Sequence, residues 1–218
     1  MQKFTPELIN KIITLLNTEI IPAEGCTEPI AIAYAAAKAT QILGKKPERM
    51  HISCSGNIIK NVKSVIVPNS GGLIGIGVSA AMGAFAGNPD KELMVISNTT
   101  PEQLIEVRAF LDKKSIHIQH ANVSDKLYIK VKLFAGNESA SVELKQRHTN
   151  ITEIMKNDQI IFQAPHEEKN TQEDPASILT IQLIYDLAKC IDIALIKNLF
   201  DKVILLNSAI ATEGLAHD

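Results

Sequence analysis

No charged side chain occurs from Ser64 to Pro89, and so long an uncharged stretch has to be buried in a protein core or in a bilayer. A membrane span needs about 20 apolar residues. The run falls short of that once the polar Asn69-Ser70 turn is set aside, and no aromatic belt flanks it. A dinucleotide loop would need a third glycine three residues after Gly75 and Gly77, and Ala80 stands there. The remaining reading is a turn with free backbone amides at Ser70-Gly71-Gly72. It leads into a buried helix, Leu73 to Gly87, whose glycine and alanine faces let neighbouring elements approach closely. Such a turn can hold a carboxylate, or it can be a tight turn with no ligand.

With 218 residues and 45% hydrophobic content, the chain can bury one sizeable core or two small ones. The formal net charge is −2 and Trp is absent, so neither a phosphate-tracking groove nor a base-stacking platform is suggested. Nucleic acid and membrane partners are therefore not expected. Cys26, Cys54 and Cys190 are odd in number and widely spaced, and no charged start with an apolar segment precedes them. A cytoplasmic location is the expectation. No CxxC or HxxxH pair occurs, so any metal needs ligands from elsewhere.

Leu8, Ile9, Ile12, Ile13, Leu16 and Ile20 recur at helical spacing after Pro6, and Ile21-Pro22 ends the pattern. A second helix is expected from Thr27, with Glu28 at its positive end and Pro29 in its first turn. Cys26 then sits at a helix N-terminus, where the dipole and nearby amides lower a thiol pKa; packing is the alternative role. Cys54, within a strand, and Cys190, at a helix end, read as small buried hydrophobes.

Asn57, Lys60 and Asn61 share one helical face if the segment after Gly56 turns, and could present amide and ammonium donors to an anion; a solvated turn is the alternative. A helix is expected from 101 to 113. Strand-like stretches follow at 116–119, 127–134, 140–146, 151–155 and 159–162, with turn signals at Gly136-Asn137 and Asn157-Asp158. Arg147-His148-Thr149-Asn150 interrupts this alternation, and His148 there could shuttle a proton or lie in an ordinary turn. The expectation is an α+β fold, with helices flanking a mixed α/β segment and a largely antiparallel sheet. Residues 1–163 would form the first domain, 164–175 a loop or linker, and 176–218 a helical segment that packs on it or leads onward.

Four motifs occur in order: Gly25-Cys26-Thr27-Glu28-Pro29-Ile30-Ala31; Asn57-x-x-Lys60-Asn61; Pro68-Asn69-Ser70-Gly71-Gly72 with its helix ending Gly87-Asn88-Pro89; and His148-Thr149-Asn150-Ile151. In these the chain resembles the L-cysteine desulfidase family, which is related to the iron-dependent L-serine dehydratase alpha chain. The similarity runs through nearly all of the chain but looks like only the N-terminal half of that family. Two departures lie in the motifs: Asn69-Ser70-Gly71-Gly72 replaces a more usual Gly-Thr-Gly, and Val62 stands where glycine is common.

The resemblance implies a four-iron-four-sulfur (4Fe-4S) cluster held by three cysteines, one matching Cys26 and two in the half not represented. Neither Cys54 nor Cys190 matches a ligand. An open iron would act as Lewis acid on the substrate thiol while a base takes the α proton, giving pyruvate, ammonia and sulfide. Lys60 and His148 are the catalytic candidates; Asn57, Asn61, Ser70, Gly71 and Gly72 would hold the carboxylate. L-Serine is the alternative substrate. A complementary C-terminal half or a homo-oligomer is the expected partner, and residues 1–218 alone are expected to be inactive, with no cluster.

Overall fold

The structure is a computed structural model that describes residues 4–165 and 175–216. These fall into two compact units, one of Pro22–His166 and one joining Met1–Ile21 to Glu167–Asp218.

The larger unit holds α2 (Thr27–Leu43), β1 (Arg49–Cys54), α3 (Gly56–Val62), α4 (Ile76–Ala86), α5 (Pro101–Asp112), β2 (Ile116–His120), β3 (Tyr128–Ala135), β4 (Glu138–Lys145), β5 (Ile151–Lys156) and β6 (Gln159–Gln163). Its six strands form one sheet in the order β2-β1-β3-β4-β5-β6. Only β1 and β2 pair in parallel; every other neighbour is antiparallel. The expected α+β class, with helices against a mostly antiparallel sheet, is what the structure has. Asn157 and Asp158 both adopt positive φ, 49° and 63°, as the turn of a two-residue hairpin demands. The strand-like run at Val65–Val67 contributes only an isolated bridge, Ile66 to Ile74.

Alanine from Ala31 to Ala39 makes α2 narrow, and every residue from Pro29 to Ala37 is buried. One side of α2 packs on β3 and β4, and another meets α4. A Cβ built on Gly83 would lie 2.0 Å from the Ala33 carbonyl oxygen, and one on Gly87 would lie 2.7 Å from Ala37 Cβ. The uncharged run is therefore a core helix that needs glycine where it crosses α2. No helix among the described residues is long and apolar enough to cross a membrane.

One buried charge was not anticipated. Glu143 on β4 is only 7% exposed. Its carboxylate accepts from Tyr128 Oη at 3.0 Å and Thr152 Oγ1 at 2.9 Å, and pairs with Lys145 Nζ at 2.7 Å. Burial alone would raise its pKa, but the hydrogen bonds and Lys145 outweigh that and hold it below the usual range. A depressed folded pKa stabilises the fold above the unfolded value and loses that contribution as pH falls through the folded one. Glu143→Gln should cost about 2 kcal/mol at pH 7, below the full figure for a buried pair because Lys145 is about one-third exposed. Urea unfolding against pH checks this: the variant's stability should vary less between pH 3 and 6 than the wild type's, and equal slopes would refute it.

The smaller unit holds α1 (Pro6–Glu19), α6 (Ile181–Cys190) and α7 (Lys197–Ala216). Thr5 caps α1 by accepting from the Leu8 amide, and Pro6 occupies the first turn. Ile12 packs with Leu183 and Leu187, surrounded by Leu8, Ile9, Leu16 and Ile178. The division differs from the expected one, because α1 satisfies its apolar stripe against α6 and so leaves the 1–163 grouping. Most of the expected 164–175 linker, 166–174, lies outside the described residues. Cys190 also differs from expectation: it ends α6 beyond that small core, is exposed, and donates to the Asp186 carbonyl at 3.3 Å.

Candidate active site around Glu28

Positive φ at Gly25, 141°, turns the chain into α2, and Cys26 takes an extended conformation as the residue before the helix. Its thiol makes no helix cap. Instead Sγ donates to Glu28 Oε2 at 3.1 Å, while the other carboxylate oxygen accepts from Asn61 Nδ2 at 2.9 Å. Asn61 comes from α3, the short helix that the Asn57/Lys60/Asn61 spacing suggested. His148, in the turn after β4, interacts electrostatically with the same carboxylate. Glu28 thus hydrogen-bonds to Cys26, two residues before it, and to Asn61 of α3, and its charge acts on His148 after β4.

The glycine turn adjoins this group through the residues just before Cys26. Asn69 Nδ2 donates to Glu24 Oε2 at 3.0 Å, Glu24 Oε1 accepts from the Ile96 amide at 3.0 Å, and a Cβ on Gly25 would stand 3.5 Å from Pro68 Cγ. Burial raises the Glu24 pKa despite these hydrogen bonds. Ser70 is fully buried, donating to the Leu73 carbonyl at 3.1 Å and accepting from the Leu73 amide at 2.9 Å. Ser70 therefore closes the turn, and its backbone amide, expected to be free for a carboxylate, donates to the Val67 carbonyl at 3.3 Å. Gly71 and Gly72 are exposed with φ of 71° and 87°, a conformation that favours glycine. Arg108 from α5 reaches over this turn, its guanidinium 3.5 Å from the Ser70 carbonyl.

Asn57 and Lys60 are exposed on α3, one turn and one residue from Asn61. Burial lowers the His148 pKa, with Glu28 pulling the other way, so the imidazole is neutral at pH 7 and can accept a proton. For Glu28 burial pushes upward, yet the hydrogen bonds from Cys26 and Asn61 hold its carboxyl below the usual range.

The expected acidification of Cys26 is reversed. Burial raises its pKa, and the Glu28 hydrogen bond and charge raise it further. A helix end carries about half an elementary charge, whereas the carboxylate brings a full negative charge to within hydrogen-bond distance. Glu28→Gln should therefore shift the alkylation midpoint of Cys26 to lower pH. The assay is iodoacetamide rate against pH in a Cys190→Ser background, with Cys54 silent because burial pushes its thiol up to about 12. An unchanged midpoint would mean that the thiol and Glu28 are not paired.

Glu28, Glu24 and Arg108 are the site residues that sequence reading missed. Glu28 was visible only as a helix-start acid; its partner Asn61 lies 33 positions away. Among the described residues no three His, Cys, Asp or Glu side chains come together to hold a metal ion. Cys54 is buried in β1, so at this carboxylate Cys26 is the cysteine that offers a ligand position, one of the three that a three-cysteine cluster needs.

Comparison with known proteins bears on where further donors could come from. The chain is 52% identical to a UPF0597 protein of Fusobacterium nucleatum over 211 residues, which are 95% of this chain and 49% of that protein. Its close homologues are UPF0597 proteins. Relatives from Lachnoclostridium phytofermentans and Bacteroides fragilis are 38% and 37% identical, covering 95% and 82% of this chain and 50% and 42% of their own lengths. The chain spans about half the length of the curated UPF0597 relatives it matches. Their names state no activity. No family model matches, and no solved structure matches.

Proposed function

We propose that this chain is one half of an iron-sulfur L-cysteine desulfidase, which eliminates sulfide from L-cysteine and yields pyruvate and ammonia. The observation that carries the reading is that Cys26 and Asn61 hydrogen-bond to Glu28, whose charge also acts on His148, so that three of the four motifs that resemble the desulfidases bear on one carboxylate. Cys26 supplies one thiolate ligand, and the other ligands come from outside the described residues. The half-length match to the UPF0597 relatives leaves room for them.

This chain's own share of the chemistry is binding and proton transfer. The substrate carboxylate is held by the Lys60 ammonium, the Asn57 amide and the exposed backbone amides of Gly71 and Gly72. Lys60 stands in solvent, which suits a carboxylate partner better than a proton acceptor. The half-buried neutral imidazole of His148 takes the α proton, and Glu28 beside it stabilises the imidazolium that results. Loss of that proton and of the β-sulfur leaves aminoacrylate, which tautomerises to an imine and hydrolyses to pyruvate and ammonia. L-Serine would leave hydroxide by the same elimination, so assaying both amino acids defines the leaving group.

In the longer protein, His148→Asn should lower kcat by about 100-fold or more with iron content unchanged, the span expected for losing a general base. Lys60→Ala should act mainly on KM. A His148 variant of full activity would remove the base assignment, and a Lys60 variant that loses iron would make Lys60 structural.

A further inference from the structure

We infer that α7 is a docking helix, and that the polypeptide it receives is the half of the longer UPF0597 proteins that this chain does not span. None of its 20 residues is buried. Phe200 and Ile204 lie one turn apart, as do Leu206 and Ile210, and at 100° per residue these four with Leu215 fall on one half of the helix surface, all exposed. Ile204 is 62% exposed and Ile210 70%. Helices in proteins owe most of their stability to a packed face, and an apolar patch along a helix about 30 Å long is larger than a soluble surface normally leaves open. Ile193 and Leu195, in the short turn just before α7, are also exposed.

The relatives decide between occupants. Similarity covers 95% of this chain, so proteins of twice the length share at least the first half of α7. In such a protein the other half is tethered to α7 at an effective concentration in the millimolar range, far above that of a second molecule in solution. The tethered half therefore outcompetes a second copy of this chain for the same apolar face. The inference rests on the part of the preceding reading that makes this chain one half of a longer unit, and not on its chemistry.

The test is co-expression of residues 1–218 with the half of the Fusobacterium nucleatum relative that this chain does not match, followed by size-exclusion chromatography with light scattering. A one-to-one complex is expected, weakened at least tenfold by Ile204→Glu combined with Ile210→Glu. Neither residue is buried, so the variant keeps the Ile12/Leu183/Leu187 core and its helical circular dichroism. A complex that forms equally well with the variant, no complex at all, or a dimer of 1–218 that competes with the complex and is broken by the same pair would overturn it. A complex that forms but releases neither sulfide nor pyruvate would leave the docking intact and count against the desulfidase alone.

Discussion

Gly83→Ala should lower the stability of the larger unit by about 3 kcal/mol or more, and Gly83→Val should leave it unfolded at 37 °C. The added methyl would stand 2.0 Å from the Ala33 carbonyl oxygen and 2.6 Å from the Ala33 carbonyl carbon and Cα. Both obstacles are backbone of the most buried helix in the unit, which packs on β3 and β4 and cannot retreat. Overpacking of a core commonly costs about 1–3 kcal/mol when side chains can give way, and here they cannot. Gly214→Ala, in α7 with open space around it, is the control and should gain up to about 1 kcal/mol from helix propensity. Urea unfolding followed by circular dichroism measures both. Wild-type stability for Gly83→Ala would show that α2 and α4 do not cross there.

The second large effect concerns Cys26. In the longer protein Cys26→Ala should abolish iron retention and cut turnover by more than the 10–100-fold that loss of an outer-shell partner costs a metal site. The fold should survive, because the thiol's hydrogen bond goes to a neighbouring side chain, Glu28, and Cys26 makes no cap for α2. Iron content, visible absorption and circular dichroism on the same preparation separate the two possibilities. Retained iron with normal turnover would reduce Cys26 to a packing residue.

Several of these features were legible in the residues. Period-two alternation and the Asn157-Asp158 turn signal mark the β5–β6 hairpin, and glycine at 83 and 87 marks close helix packing. The four polar residues at 147–150 do break the alternation at a turn, where the Glu28 charge acts on His148. Long-range pairing was not legible, because nothing local tells β1 that its parallel partner is β2, more than 60 positions on. Nor does the stripe of Ile12 reveal that it is covered by Leu183 and Leu187. Glu143 shows the limit of alternation: it assigns a residue to a sheet face but not the Tyr128, Lys145 and Thr152 side chains that seal it there. Glu28 was misjudged for the same reason. Its place at a helix start was plain, while its effect on the Cys26 thiol depends on a side-chain geometry that no spacing encodes.

Anaerobic release of sulfide and pyruvate from L-cysteine by the longer, iron-loaded protein tests the account most directly. The account predicts the two products in equal amounts, none from residues 1–218 alone, and none from the longer protein carrying Cys26→Ala. Iron-loaded longer protein that releases neither product from L-cysteine, nor pyruvate from L-serine, would contradict it.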